Sequence, residues 1–174
     1  PGLCVWEKQI GKRRIKSSLF VPIGTDARVI ILEGAKGMEF RWAMQPVLGA
    51  REASSLLCRT EGRLFIAENP ESYLENICFR AAVSLPSAIK CDFAPAAMEI
   101  SGIADSVSVF VCGCCSSEEL LSLCEPDNAF AALAASTQRW DAILSGFQVR
   151  SGNGAFDRYM NRWALYQTIA CRLE

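Results

Sequence analysis

The chain has no histidine among its 174 residues. That absence removes every Ser-His and Cys-His nucleophile scheme from this sequence, because each needs an imidazole as its base. An excess of charge of one sign is missing too: 18 basic residues stand against 19 acidic ones, a net charge of −1. Nucleic-acid binders carry a basic excess, so no nucleic-acid partner is expected. The one dense basic run, Lys12-Arg13-Arg14 with Lys16, reads as the solvated end of a strand. No segment has the roughly 18 uninterrupted apolar residues that a membrane helix needs. The first residues, "PGLCVWEKQIGKRRIK", show neither an initiator Met nor an apolar signal core. The start at Pro1 and the stop at Glu174 raise the expectation that this is a piece of a longer protein.

What is present is ordinary for a folded chain: 51% hydrophobic and 21% charged residues, enough for one domain with a core plus a helical appendage. Nine cysteines stand out. Their number is odd and their spacing irregular, and the densest group is Cys112, Cys114 and Cys115 in "FVCGCCSSEE". Zinc sites present paired C-x-x-C arms or histidine partners, and neither occurs here. The thiols are therefore expected to be small buried residues in a reducing cytoplasm, with no metal.

The first two thirds read as strands. "RIKSSLFVP" (14–22) is β-rich, and "ARVIILEG" (27–34) is a continuous apolar run after Gly24-Thr25-Asp26. In "MEFRWAMQP" (38–46), Met38, Phe40, Trp42 and Met44 share a face opposite Glu39, Arg41 and Gln45. Gly34 to Gly37 is expected to join these two strands as a hairpin. "SSLLCRTEGRLFIAEN" gives two strands around a tip at Glu61-Gly62. "NICFRAAVS" follows as a further strand, and "SVSVFVC" alternates most clearly, with Val107, Val109 and Val111 on one buried face. Short strands without intervening long helices argue for an antiparallel β-sandwich over a βαβ fold.

After Cys115 the period changes to that of helices. Ser116 and Glu119 form a capping box, with Leu120, Leu121, Leu123 and Cys124 as the apolar set and Pro126-Asp127 as the break. A second helix over 128–146 carries Phe130, Leu133, Ala134, Thr137, Trp140 and Leu144, with Gly146 as its stop. "FQVRSGNG" is a linker, Asn153 an N-cap, and Phe156, Met160, Trp163, Tyr166 or Gln167, Ala170 and Leu173 a last apolar stripe. The expected organisation is a β-sandwich over 1–115, incomplete at its N-terminus, linker helices over 116–152, and the start of a helical barrel over 153–174. Glu118-Glu119 reads as a pair of first-turn acids facing a helix dipole, not as an acid/base couple.

The final segment, "NRWALYQTIACRL", resembles the Asn-x-Trp-Leu-x-Tyr-Gln…Cys-Arg-Leu helix that opens the catalytic barrel in glycoside hydrolase family 94. That family holds the cellobiose- and cellodextrin-type phosphorylases and the phosphorylase-like region of cyclic β-1,2-glucan synthases, the branch that looks nearest. "VLGAREASSLLCRTEGRLFIAENPESYLENICFRAAV", "FVCGCCSSEELLSL" and "WDAILSGFQVR" resemble, in order, a strand pair of the family's N-terminal sandwich, its last strand with the following helix, and its linker. Ser151-Gly152-Asn153 replaces a frequent Thr-Pro-Asp, and Gly34 a frequent asparagine.

The resemblance implies an N-terminal β-sandwich, linker helices and an (α/α)6 barrel of which this chain holds the first helix. It implies phosphorolysis of a β-glucosidic bond with inversion: a carboxylic acid protonates the leaving oxygen and inorganic phosphate attacks as co-substrate. The acid, an aspartate, and the phosphate site belong to the barrel beyond Glu174, so no catalytic residue, metal or bound cofactor is expected in this chain. Asn161, Trp163, Tyr166, Gln167 and Arg172 match the motif and would lie at the sandwich–barrel junction or near the sugar. Trp163 and Tyr166 have a second reading as core aromatics of the stripe. The implied partners are a β-glucan or oligosaccharide and the barrel domain, with a homodimer left open. The implied location is the cytoplasm, or the cytoplasmic region of a larger membrane-associated synthase. The alternative is a free-standing β-sandwich carbohydrate-binding or interaction module, in which Trp6, Trp42 or Tyr73 would stack on sugar rings.

Overall fold

The structure, a computed structural model, describes residues 2–46, 48, 57–72, 77–85, 88–93, 96–146, 148–164 and 166–167, with backbone alone over 88–97. Among the described residues, ten strands form two antiparallel sheets. β1 (Leu3–Ile10), β2 (Arg13–Phe20), β3 (Ala27–Glu33), β5 (Leu57–Glu61), β6 (Leu64–Glu68), β7 (Cys78–Val83) and β10 (Val107–Gly113) make the larger one. Its spatial order is β1-β2-β3-β10-β7-β6-β5. The smaller sheet has the order β4-β9-β8, from β4 (Glu39–Met44), β9 (Ala96–Ile103) and β8 (Ala88–Phe93). The chain is thus mostly antiparallel sheet with a helical tail, a sandwich as its strand pattern predicts.

The expected hairpin at Gly34–Gly37 is not one. β3 pairs with β2 and β10, whereas β4 pairs with β9 in the other sheet. The two glycines, both at positive φ, lift the chain from one sheet to the other. Gly34 N donates to Ser106 O (3.1 Å), and Gly37 N donates to Ala104 O (2.7 Å), so the crossover is stitched to the β9–β10 connection. A Cβ at Gly34 would stand 2.3 Å from Arg14 O, which excludes the asparagine alternative at this backbone position. By contrast Gly62 (φ 59°) is the tip of a true two-residue hairpin between β5 and β6.

The central strands of the larger sheet are buried on both faces. Val109 and Val111 of β10 join Phe20, Val29, Ile31, Leu64, Ile66 and Ala82 in a core roofed by helices. On the opposite face Phe110, Phe65, Ala81 and Val83 meet Met98 and Ile100 of the smaller sheet, with Phe40 and Trp42 edge-on to Phe110 at 5.1 and 5.4 Å. The expectation of one buried face for β10 is therefore corrected: helices cover the valine face and the second sheet covers Phe110. That is why its central residues are buried without alternation.

The roof begins at α1 (Ser117–Cys124), whose N-cap Ser116 accepts a hydrogen bond from Glu119 N at 3.2 Å. Leu120, Leu123 and Cys124 go into the core. Arg80 fastens this corner, donating to Ser117 Oγ (3.1 Å) and to the carbonyl of Cys115 (2.9 Å). α2 (Pro126–Ser145) starts two residues earlier than expected, with the proline in its first turn, where the lost N–H has no helical acceptor anyway. Its packed face is Ala129, Leu133, Ser136 and Leu144, and Ser136 Oγ donates to Val21 O at 3.3 Å. No described helix is long and apolar enough to cross a membrane.

Candidate functional site

The segment carrying the motif residues folds back on the end of α2. α3 (Gly154–Arg158) is capped by Asn153, whose side chain accepts from Ala155 N (3.1 Å) and Phe156 N (3.2 Å), as expected of that residue. The helix runs on into a π-helical stretch, Tyr159–Ala164. Such widened turns accommodate an extra residue, and they recur at functional sites.

Two side chains fix the linker against this helix. Asn161 Oδ1 accepts from Val149 N at 2.5 Å, while its Nδ2 donates to Val149 O at 2.9 Å, so the amide continues the linker as a strand partner would. Asp157 accepts from both Ser151 N (2.8 Å) and Ser151 Oγ (2.7 Å). Those donors hold its carboxyl below the usual range. Between α2 and this segment lies a polar cleft of about 450 Å³, lined by residues including Asp141, Gln148, Arg158, Asn161 and Arg162.

Of the five motif residues, Tyr166 is half-buried and packs on Trp140 of α2, ring centroids 5.1 Å apart. Trp163 meets Tyr166 edge-on at 6.4 Å yet stays 61% exposed. Gln167 is exposed, Asn161 lines the cleft, and Arg172 lies outside the described residues. Sequence reasoning missed Asp157, Ser151 and Trp140 as partners of this junction. The pattern Ser-x-Asn-x-x-x-Asp (151–157) was the available signal for a linker folded onto its own helix.

The aromatic candidates for sugar stacking separate cleanly. Trp42 is half-buried against the core, Trp6 on β1 is 56% exposed, and Tyr73 lies outside the described residues. The cysteines also divide. Cys78, Cys115 and Cys124 are buried as expected, but Cys4 and Cys114 are exposed. Burial pushes the Cys124 thiol up to about 12. Among the described residues no group of three or more His, Cys, Asp or Glu could hold a metal ion. Glu118 and Glu119 occupy the first turn of α1.

No protein-family model matches the chain, and no curated protein matches it.

Proposed function

We propose that this chain is the non-catalytic sandwich-and-linker part of a carbohydrate-active enzyme similar to the inverting β-glucan phosphorylases and cyclic β-1,2-glucan synthases of glycoside hydrolase family 94. In this reading a helical barrel supplies the aspartic acid and the phosphate site, and the terminal helix of this chain docks the sandwich onto that barrel. One observation carries the reading. The sandwich has covered both faces of its central strands, whereas the helix bearing the resembling motif leaves Phe156, Tyr159 and Trp163 exposed at 48%, 58% and 61%. Burying such a side chain is worth about 1.5–3 kcal/mol, so a row of three on one helical run favours a partner surface. The Asn161–Val149 and Asp157–Ser151 bonds support a junction role, because they set the angle at which that helix leaves the sandwich.

The test is the reading frame downstream of Glu174. Continuation into a helical barrel supports the proposal; a stop codon directly after Glu174 overturns it.

The exposed indole of Trp6 favours a second reading, a carbohydrate-binding module. Quenching of that indole by added β-glucan, lost in Trp6→Ala, would select it.

A further inference from the structure

At one end of the sandwich the two sheets part around a cleft of about 600 Å³, with no residue of the terminal helix in its described lining. Its apolar wall comes from Met44, Leu48, Ile77 and Phe79, residues that belong to the core between the sheets. The rim is the start of β3 and the end of β10. There Arg28 stands opposite Cys112 in the strand register, and Asp26 O accepts from Cys114 N at 2.9 Å. Burial pushes both thiols up, so they are neutral at pH 7. Asp26 and Arg28 are then the only charged side chains lining the cleft among the described residues.

These two charges are opposite in sign and two residues apart in the chain, Asp26 in the bend just before β3 and Arg28 its second residue, and both are exposed. Yet neither side chain makes an ion pair or a hydrogen bond among the described residues. An acid and a base held near each other without meeting suit a ligand that carries both complementary charges on adjacent atoms. The apolar wall suits a hydrophobic body attached to them. A cleft of this size has room for such a small molecule.

We infer that this cleft binds a free α-amino acid with an apolar side chain. Its carboxylate lies on Arg28, its ammonium on Asp26, and its side chain against Phe79 and Met44. A zwitterion satisfies both charges at once, whereas a simple carboxylate would leave Asp26 unanswered and repelling. The site is independent of the phosphorylase reading, since it uses no residue of the terminal helix.

The probe is L-phenylalanine, titrated into the whole chain by calorimetry, with the methyl resonance of Met44 followed by NMR. The expected result is saturable binding that shifts the Met44 methyl. 3-Phenylpropionate, which lacks the ammonium, and 2-phenylethylamine, which lacks the carboxylate, should each bind at least about tenfold more weakly, as loss of one charge-assisted contact requires. Arg28→Gln and Asp26→Asn are exposed-site changes that should leave the thermal midpoint unchanged, and each should weaken L-phenylalanine by a similar factor. The inference is overturned by an absence of saturable binding, by binding that leaves Met44 unmoved, by either truncated analogue binding as tightly as L-phenylalanine, or by either variant binding L-phenylalanine as tightly as the unaltered chain.

Discussion

Asn161 uses both ends of its amide on the backbone of one residue, Val149. Asn161→Asp keeps the acceptor but loses the donor and sets a carboxylate against a carbonyl. It should cost about 1–2 kcal/mol of local stability, and Asn161→Ala somewhat more. Hydrogen exchange of the Val149 amide should accelerate in both variants, and an unchanged rate would remove the linker role. Asp157 adds a pH dependence. Its carboxyl is held low by the Ser151 donors, so the contact contributes fully above the free-chain value of about 3.9 and is lost as pH falls through the lower folded value. In Ser151→Ala the Asp157 titration, read by carboxyl carbon NMR, should move upward. A third outcome concerns the thiols: at pH 8 iodoacetamide should label Cys4 and Cys114 in the native chain, and Cys78, Cys115 and Cys124 only on unfolding. Asn153 was legible as a cap from its own neighbours, because capping is a local interaction. Val149 as the partner of Asn161 was not, since twelve residues and a turn separate them.

At the level of elements, α2 shows how far a helical stripe can be read from sequence. The hydrophobic residues place Phe130 and Ala134 on the packed face, but the structure turns the helix so that Ala129, Leu133, Ser136 and Leu144 point inward and Phe130 is 36% exposed. Small residues let the helix approach the sheet closely, and Ser136 uses its hydroxyl on Val21 O, so polarity alone misplaces it. Ala129→Leu should therefore destabilise by about 1–3 kcal/mol through overpacking, while Phe130→Ala should change stability by about 1 kcal/mol or less. Chemical denaturation of the two variants compares them directly, and the reverse order would put the stripe back where the side chains alone suggest. The glycines grade in the same way. A Cβ at Gly113 would fall 1.9 Å from Asp26 O, whereas one at Gly62 meets nothing. Gly113→Ala should cost about 3 kcal/mol or more, and Gly62→Ala only the roughly 1–2 kcal/mol of its left-handed backbone.

Across the whole molecule, the strands with apolar runs were legible and those without were not. β1 is exposed along nearly its whole length, and it is a strand because it pairs with β2 in register from Leu3↔Phe20 to Ile10↔Arg13. Its residues carry no alternation that burial would impose. The assignment of β3 and β4 to different sheets also escaped the sequence. A glycine turn of four residues is compatible with a hairpin and with a crossover, and only the pairing to β10 and β9 decides between them. Besides the outer strand β1, the two-sheet body with its helical roof leaves the terminal helix with its three exposed aromatics, and on that helix the functional account rests. The measurement that tests it most directly is phosphorus NMR on the product of the whole reading frame, incubated with β-linked gluco-oligosaccharides and inorganic phosphate. The account predicts an α-glucose 1-phosphate resonance, absent when residues 1–174 are supplied alone. No sugar phosphate from the whole product, or glucose released equally without phosphate, would contradict it.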